Sequence, residues 1–244
     1  MIEEHSPVVM VHAHPDDETL ASGALILNLV EQGVEVYVLT ATRGELGDVA
    51  APSLQILRGK PELVEVREGE LARACGMLGV TGHAFLGEPP ARASGLSPRR
   101  YTDSGMRWLD KAETIAGPGD AAGPDALTRA DESEVAADIA AYCLSVGAQA
   151  VLTYDDLGGY GHPDHVFLHQ PTRDAASELD LPCYEIVSGP SGGEIYYVDE
   201  HIIAEVLEAY PSQLTVMGSD VVHSGGQSRP IPVQTVVRKM PQAL

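Results

Sequence analysis

Residues 7–13, Pro-Val-Val-Met-Val-His-Ala, form a short run of mostly β-branched apolar side chains, the pattern of a strand buried on both faces. A different period follows. Over residues 19–32, Leu20, Ala24 and Leu27 recur on one helical face, the polar Glu31 interrupts that face in the last turn, and Gly33 marks the end. Val34 to Thr40 read as a second buried strand. Strand, helix and strand in close succession make a βαβ unit, which implies a parallel pair joined by a right-handed crossover.

The alternation continues. A helix is predicted over 62–78, with Leu63, Val66, Leu71, Ala74 and Leu78 on or near one face, and a short strand over 83–86. A helix over 132–146 opens on an acidic turn and precedes a strand over 150–154. A helix over 163–178 accepts Pro163 in its first turn, whereas Pro171 is expected to kink or split it. Strands at 183–187 and 194–198 and a helix over 199–210 complete the series. The pattern predicts a single α/β domain over 1–244: a Rossmann-like, doubly wound, mostly parallel sheet with helices on both faces and an active site at the carboxyl ends of the strands. Residues 88–130, rich in Pro, Gly, Arg and Asp, and residues 217–232, rich in Gly, Ser and Pro, carry no period and are expected to be irregular. Long segments of this kind often act as substrate loops or lids.

Composition narrows the function classes. A formal net charge of −21 repels phosphate backbones and anionic membranes, so neither nucleic acid nor membrane is an expected partner. Three well-separated cysteines, Cys75, Cys143 and Cys183, fit no disulfide framework, and no apolar run reaches the roughly 20 residues of a membrane span. Together with an acidic N-terminus these features predict a cytoplasmic protein. Arginine exceeds lysine 12 to 3, a bias that suggests a GC-rich bacterial coding sequence. The oligomeric state is open, a homo-oligomer being compatible with everything above.

Candidate chemistry concentrates where strands end. His12-Ala13-His14-Pro15-Asp16-Asp17-Glu18 lies between the first strand and the first helix, and the three-residue spacing puts His14 and Asp17 on one side of a turn. Imidazole and carboxylate suit zinc. Asp16, between them, faces elsewhere and is placed to contact a metal's water. Capping of a helix N-terminus is the competing explanation for the acids. A second segment, Tyr154-Asp155-Asp156-Leu157-Gly158-Gly159-Tyr160-Gly161-His162-Pro163-Asp164-His165, repeats the strand-to-helix context. A catalytic zinc commonly takes three protein ligands, so His14 and Asp17 would be completed by either His162 or His165, leaving the other to meet an oxyanion or protonate a leaving amine. His5, His83, His169, His201 and His223 have no partner motif and read as surface or satisfied polar residues. A dinucleotide fold lacks its Gly-x-Gly-x-x-Gly turn here.

Ala13-His14-Pro15-Asp16-Asp17-Glu18 and His162-Pro163-Asp164-His165 resemble the two motifs of the zinc deacetylase family that includes the GlcNAc-phosphatidylinositol de-N-acetylases. Thr42-Arg43-Gly44-Glu45, Tyr101-Thr102-Asp103-Ser104-Gly105-Met106 and Gly158-Gly159-Tyr160-Gly161-His162 extend the similarity, which is closest to the actinobacterial mycothiol branch. The resemblance implies His14, Asp17 and His165 as zinc ligands, with iron(II) an alternative ion, and Asp16 as general base. It casts His162 as oxyanion donor or acid, Asp164 as the group that orients a histidine, and Tyr160 as an aid to the tetrahedral intermediate. It also implies substrate contacts by Arg67, Asp103 and Glu45. The implied activity is hydrolysis of the N-acetyl amide of a small amino-sugar glycoside resembling GlcNAc-inositol. The alternatives are an amidase of mycothiol conjugates, a deacetylase of a natural-product amino sugar, and an inactive metal-dependent sugar binder. Ala21 stands where the amidases carry a lysine, which argues against the first of these.

Overall fold

A computed structural model of the chain describes residues 1–110, 116–189 and 192–241. Its main sheet is built outward from β1 (Val8–His12), all five of whose residues are buried. β1 pairs in parallel with β2 (Val36–Thr40) on one side and with β6 (Ala150–Tyr154) on the other, Val8 lying opposite both Val36 and Ala150. β3 (Gly82–Phe85) extends the sheet beyond β2, and β7 (Cys183–Ile186) extends it beyond β6, all in parallel. The chain therefore winds one way from β1 through β2 to β3 and the other way through β6 to β7, and the crevice at such a reversal is where α/β sheets bind ligands.

Alternation along β1 divides the core. Val8 and Met10 pack with α2 (Gly23–Glu31), α3 (Glu62–Leu78) and α6 (Glu200–Leu207) through Leu25, Leu29, Leu71 and Ile203. Val9 and Val11 face α4 (Glu132–Val146) and α5 (Pro163–Glu178) through Ile139 and Leu168. Each such side chain, fully buried, contributes about 1.5–3 kcal/mol. Helix boundaries follow local chemistry: Asp131 accepts the amides of Ser133 and Glu134 to start α4, and Gly147, at φ +66°, ends it in the left-handed region.

Four features depart from the sequence expectation. The first helix is broken into α1 (Asp17–Leu20) and α2, because Ser22 turns its hydroxyl onto the Glu18 carbonyl (3.0 Å) and the His12 ring (2.8 Å). Pro171 does not split α5, which runs unbroken with that proline buried inside it. The 88–130 segment contains a two-stranded ribbon, β4 (Arg107–Trp108) and β5 (Ala116–Gly117), and a packed stretch in which the Tyr101 hydroxyl donates to Asp138 at 2.8 Å. Residues 111–115 of that segment lie outside the described residues.

The largest departure is C-terminal. β8 (Glu194–Tyr197) joins the main sheet through β12 (Gln234–Lys239), which is antiparallel to both β7 and β8 and lies where the sequence pattern predicts no element. The 217–232 stretch, expected to be irregular, carries β10 (Asp220–His223) and β11 (Ser228–Pro230), which pair with β9 (Leu214–Met217) in a separate antiparallel sheet. Cys75, Cys143 and Cys183 are buried free thiols. Among the described residues no helix is long and apolar enough to cross a membrane.

Candidate active site

A cleft of about 490 Å³ opens at the carboxyl ends of β1 and β6, and His14, Asp16, Asp17, Tyr160, His162 and His165 line it. The two motifs are thus brought together from 150 residues apart by the β1–β6 pairing. His14 follows β1 directly. Asp17 opens α1, and its Oδ2 accepts the His14 amide at 2.8 Å, which closes the turn. His165 projects from the first turn of α5. Three atoms then face one another: His14 Nδ1 and Asp17 Oδ2 are 3.3 Å apart, His165 Nε2 and Asp17 Oδ2 3.2 Å, and His165 Nε2 and His14 Nδ1 3.2 Å. Tetrahedral coordination at about 2.0–2.1 Å gives ligand–ligand edges of about 3.3 Å. The triangle therefore fits a divalent ion without rearrangement.

The next layer of contacts fixes these rings. His14 Nε2 lies 3.1 Å from Asp164 Oδ2, which also accepts the Ser104 amide at 2.9 Å. With Nε2–H donated to Asp164, the Nδ1 lone pair of His14 is left facing the triangle. His165 is stacked by Tyr154 at a ring separation of 4.1 Å, and the Tyr154 hydroxyl accepts the Ala13 amide at 2.9 Å. Against the effect of burial, Asp103, Asp164 and Asp17 pull the His14 pKa well up; the same burial is overcome at Asp17 by His165 and His14, which hold its carboxyl well below the usual range. His14, His162 and His165 also present nitrogens within 4.8 Å of one another. His162, however, caps α5 by accepting the Asp164 amide on Nδ1 at 3.2 Å, which leaves its Nε2 carrying the proton and free to donate.

Asp16 occupies a left-handed conformation, φ 101° and ψ −26°, at the start of α1. That conformation costs most residues about 1–3 kcal/mol and points the Asp16 side chain differently from that of Asp17. Burial, reinforced by the neighbouring carboxylates of Asp17 and Glu18, raises its pKa well above the ordinary value. Glu18, quoted in the motif without a role, is the anchor of this turn. It is fully buried, its carboxylate accepts from the Thr19 and Tyr210 hydroxyls, and it takes the Asp16 amide at 3.2 Å. Burial pushes its pKa up to about 6.

Arg67 lines the cleft but is 2% exposed, and most of its guanidinium is committed to the 44–48 turn, with bonds to the carbonyls of Gly44, Gly47 (3.3 Å) and Asp48 (2.9 Å). Gly44 permits this: at φ +66°, a Cβ there would stand 2.8 Å from Arg67 Nη1. Asp103 also lines the cleft, 3.6 Å from His14 Nε2, while accepting the amides of Gly105 (2.7 Å) and Leu46 (3.2 Å). Glu45 sits beside it, accepting the Asp103 amide at 3.0 Å, and is not among the lining residues. His223, read from sequence as unpartnered, is in the cleft, as are Gln213 and Arg229. No local motif signals these three; a long-range fold of the chain brings them in.

The model of the GlcNAc-PI de-N-acetylase (PIG-L) family matches residues 9–176, which contain both motifs and all of the triangle. The chain belongs to this family. A relative from Kineococcus radiotolerans, a 1D-myo-inositol 2-acetamido-2-deoxy-alpha-D-glucopyranoside deacetylase, is 45% identical over 70% of this chain and 45% of its own length. One of the same name from Salinispora arenicola is 36% identical over 91% of this chain and 61% of its own length. The chain thus spans about half the length of the curated relatives it matches. Among solved structures, a PIG-L-like fold recurs in a deacetylase of teicoplanin biosynthesis (TM-score 0.61, 19% identity, 98% of this chain and 100% of that one). It recurs also in the N,N'-diacetylchitobiose deacetylase of Pyrococcus horikoshii (TM-score 0.55, 19% identity, 85% and 69%).

Proposed function

We propose that the chain is a metal-dependent N-deacetylase that hydrolyses the acetamide of a small amino-sugar glycoside of the GlcNAc-inositol type, releasing acetate and a free amine. The observation that carries this reading is the near-equilateral triangle of His14 Nδ1, Asp17 Oδ2 and His165 Nε2, beside Asp16 at the base of the cleft. The nitrogen and oxygen donor set fits zinc, and iron(II) is the alternative ion. A divalent ion held there supplies Lewis acidity toward the amide carbonyl and makes water more acidic.

The residues do the rest. His14, Asp17 and His165 hold the ion, with Asp164 and Tyr154 fixing the two imidazoles. Asp16 accepts the proton of the attacking water, a task suited by a carboxylate whose pKa burial has raised. His162 donates from Nε2 to the oxyanion as the carbonyl carbon becomes tetrahedral, and the Tyr160 hydroxyl offers a second donor. The proton taken by Asp16 then serves the departing amine. Arg67 and Asp103 border the sugar-binding end of the cleft. The relatives named as GlcNAc-inositol deacetylases support the substrate class.

The test is acetate and amine release, followed by mass spectrometry, from GlcNAc-inositol, a mycothiol S-conjugate, free GlcNAc and other N-acetyl glycosides. Turnover of GlcNAc-inositol is the expected result. Turnover of the conjugate alone would replace the reading with an amidase, and a metal-loaded protein inert toward every N-acetyl sugar would overturn it.

A further inference from the structure

The three-stranded sheet of β9, β10 and β11 supplies one wall of the cleft, through residues such as Val221, His223, Ser224 and Gln227. Among the described residues it pairs with no strand of the main sheet. Leu214, Val221 and Ile231 bury it against the body of the fold, a contact that is favourable but non-directional. Directional bonds come from the turn over residues 210–213, between α6 and β9, which lies beyond the 9–176 stretch that the family model matches.

Tyr210 and Ser212 of this turn are both fully buried. Ser212 gives its amide (2.8 Å) and its hydroxyl (2.6 Å) to the two carboxylate oxygens of Glu70 in α3, and the hydroxyl accepts from Arg67 Nε at 3.4 Å. The carbonyls of Pro211 and Ser212 accept the amides of Ala51 (3.1 Å) and Ala50 (2.8 Å), so the loop after β2 closes on the same turn. The Gln213 carbonyl takes the amide of Ser224, the residue after β10, at 3.1 Å, which carries the constraint to the edge of the cleft. Tyr210 makes a different connection. Its hydroxyl donates to Glu18, whose carboxylate takes the Asp16 amide at 3.2 Å. One turn is therefore bonded both to the segment that carries Asp16 and to the cleft wall.

We propose that this turn is a clasp with two separable effects: Tyr210 is a positioning residue for Asp16, and Ser212, with Glu70, is a positioning residue for the wall. The inference rests on the deacetylase reading, which makes Asp16 the base and gives the substrate an aglycone that reaches the wall. Without the Tyr210 hydroxyl, Glu18 holds the left-handed Asp16 backbone less firmly. The base is then misplaced after the substrate has bound, which costs rate. Without the Ser212–Glu70 bonds the wall shifts, and ground state and transition state lose the same contacts, which raises KM and leaves kcat. Two equally buried residues, two positions apart, thus act on different kinetic constants.

The experiment compares metal-loaded wild type, Tyr210→Phe, Ser212→Ala and Glu70→Ala. Tyr196→Phe, which removes hydroxyl bonds to Glu3 and Glu194 at the edge strand β8, controls for lost stability alone. Acetate release is measured from GlcNAc-inositol and from free GlcNAc. Tyr210→Phe is expected to lose about 10–100-fold in kcat on both sugars at unchanged KM. Ser212→Ala and Glu70→Ala are expected to raise KM for GlcNAc-inositol by about tenfold, and not for free GlcNAc, which has no aglycone to meet the wall. Two readouts need no turnover. Hydrogen exchange at the Asp16 amide, followed by NMR, should accelerate in Tyr210→Phe alone. Calorimetric Kd for the free-amine product of GlcNAc-inositol should weaken in Ser212→Ala and Glu70→Ala alone. Parallel losses of kcat and KM that follow melting temperature and extend to Tyr196→Phe overturn the inference, and absence of either signature removes that residue from the clasp. The exchange and Kd patterns with no acetate from either sugar would overturn the deacetylase reading and leave the clasp standing.

Discussion

Tyr154 stacks on His165 with ring centroids 4.1 Å apart and planes 10° from parallel. Its hydroxyl accepts the amide of Ala13, the residue before His14, so one side chain ties the end of β6 to the loop after β1. Tyr154→Phe keeps the stack and leaves the Ala13 amide without its acceptor. It is expected to destabilise the fold by about 1–3 kcal/mol while retaining the metal. Tyr154→Leu also frees the His165 ring, and metal affinity is expected to fall roughly 10–100-fold. Urea denaturation and titration against a competing chelator separate the two effects; equal chelator curves for both variants would remove Tyr154 from the metal site.

Asp16 and Asp17 are neighbours with opposite assignments, which makes them a sharp test. Asparagine tolerates the left-handed conformation of position 16, so Asp16→Asn changes charge without forcing the backbone. Its expected phenotype is one metal per chain with a rate about 10²–10⁴-fold lower. Asp17→Asn and His165→Ala are expected to lose the metal itself, and with it the rise in melting temperature that added zinc is expected to give the wild type. Elemental analysis after gel filtration checks occupancy. Full activity in Asp16→Asn would end its role as the base.

The elements flanking the site were legible because their signals are local. β1 and β2 are rich in valine and other apolar side chains, α3 spans Glu62–Leu78 where the period places it, and both motifs sit at strand ends. What escaped depends on distant chain. The Ser22 hydroxyl at the break meets His12, a residue of the preceding strand, and α5 runs unbroken with Pro171 buried inside it. β12 has only six residues, and its place between β7 and β8 is a matter of tertiary pairing. The motif pointed to His14, Asp17 and His165, whereas Tyr154, Glu18 and Tyr210 carry no ligand signature and act by holding those residues or Asp16. Arg67 illustrates the converse. Its resemblance to a sugar-contacting residue gave no hint that the 44–48 turn takes most of its hydrogen bonds.

His162 makes two contacts that substitution by alanine alone does not separate. It caps α5 through Nδ1 and presents Nε2–H to the cleft. His162→Ala removes both, and about 1 kcal/mol of stability should go with the cap. His162→Asn restores a capping acceptor without an imidazole at the cleft. The expected result is near-native stability in the Asn variant with activity as low as in the Ala variant, measured by thermal denaturation and initial rates with metal saturating. Recovery of rate along with stability would make His162 a structural cap only.

His83 provides a pH prediction away from the metal site. Its Nε2 is 3.2 Å from Thr40 Oγ1, its ring meets Phe85 edge-on, and burial, helped by nearby Arg43, pushes its pKa from 6.5 down to about 4. In the unfolded chain the imidazole recovers its ordinary value. Between pH 6.5 and about 4 the unfolded state therefore binds more protons than the folded one, and stability falls as pH falls across that window. One proton changes the slope by up to about 1.4 kcal/mol per pH unit, and partial exposure of the ring lowers the total to about 2 kcal/mol. His83→Gln keeps a donor toward Thr40 and removes the titration. Carboxylates titrate in both proteins, so the difference between their stability curves isolates the imidazole. Urea unfolding from pH 7.5 to 4.5 should show the wild type losing about 2 kcal/mol more than the variant. Parallel curves would mean that His83 is protonated in the folded protein as readily as in the unfolded one.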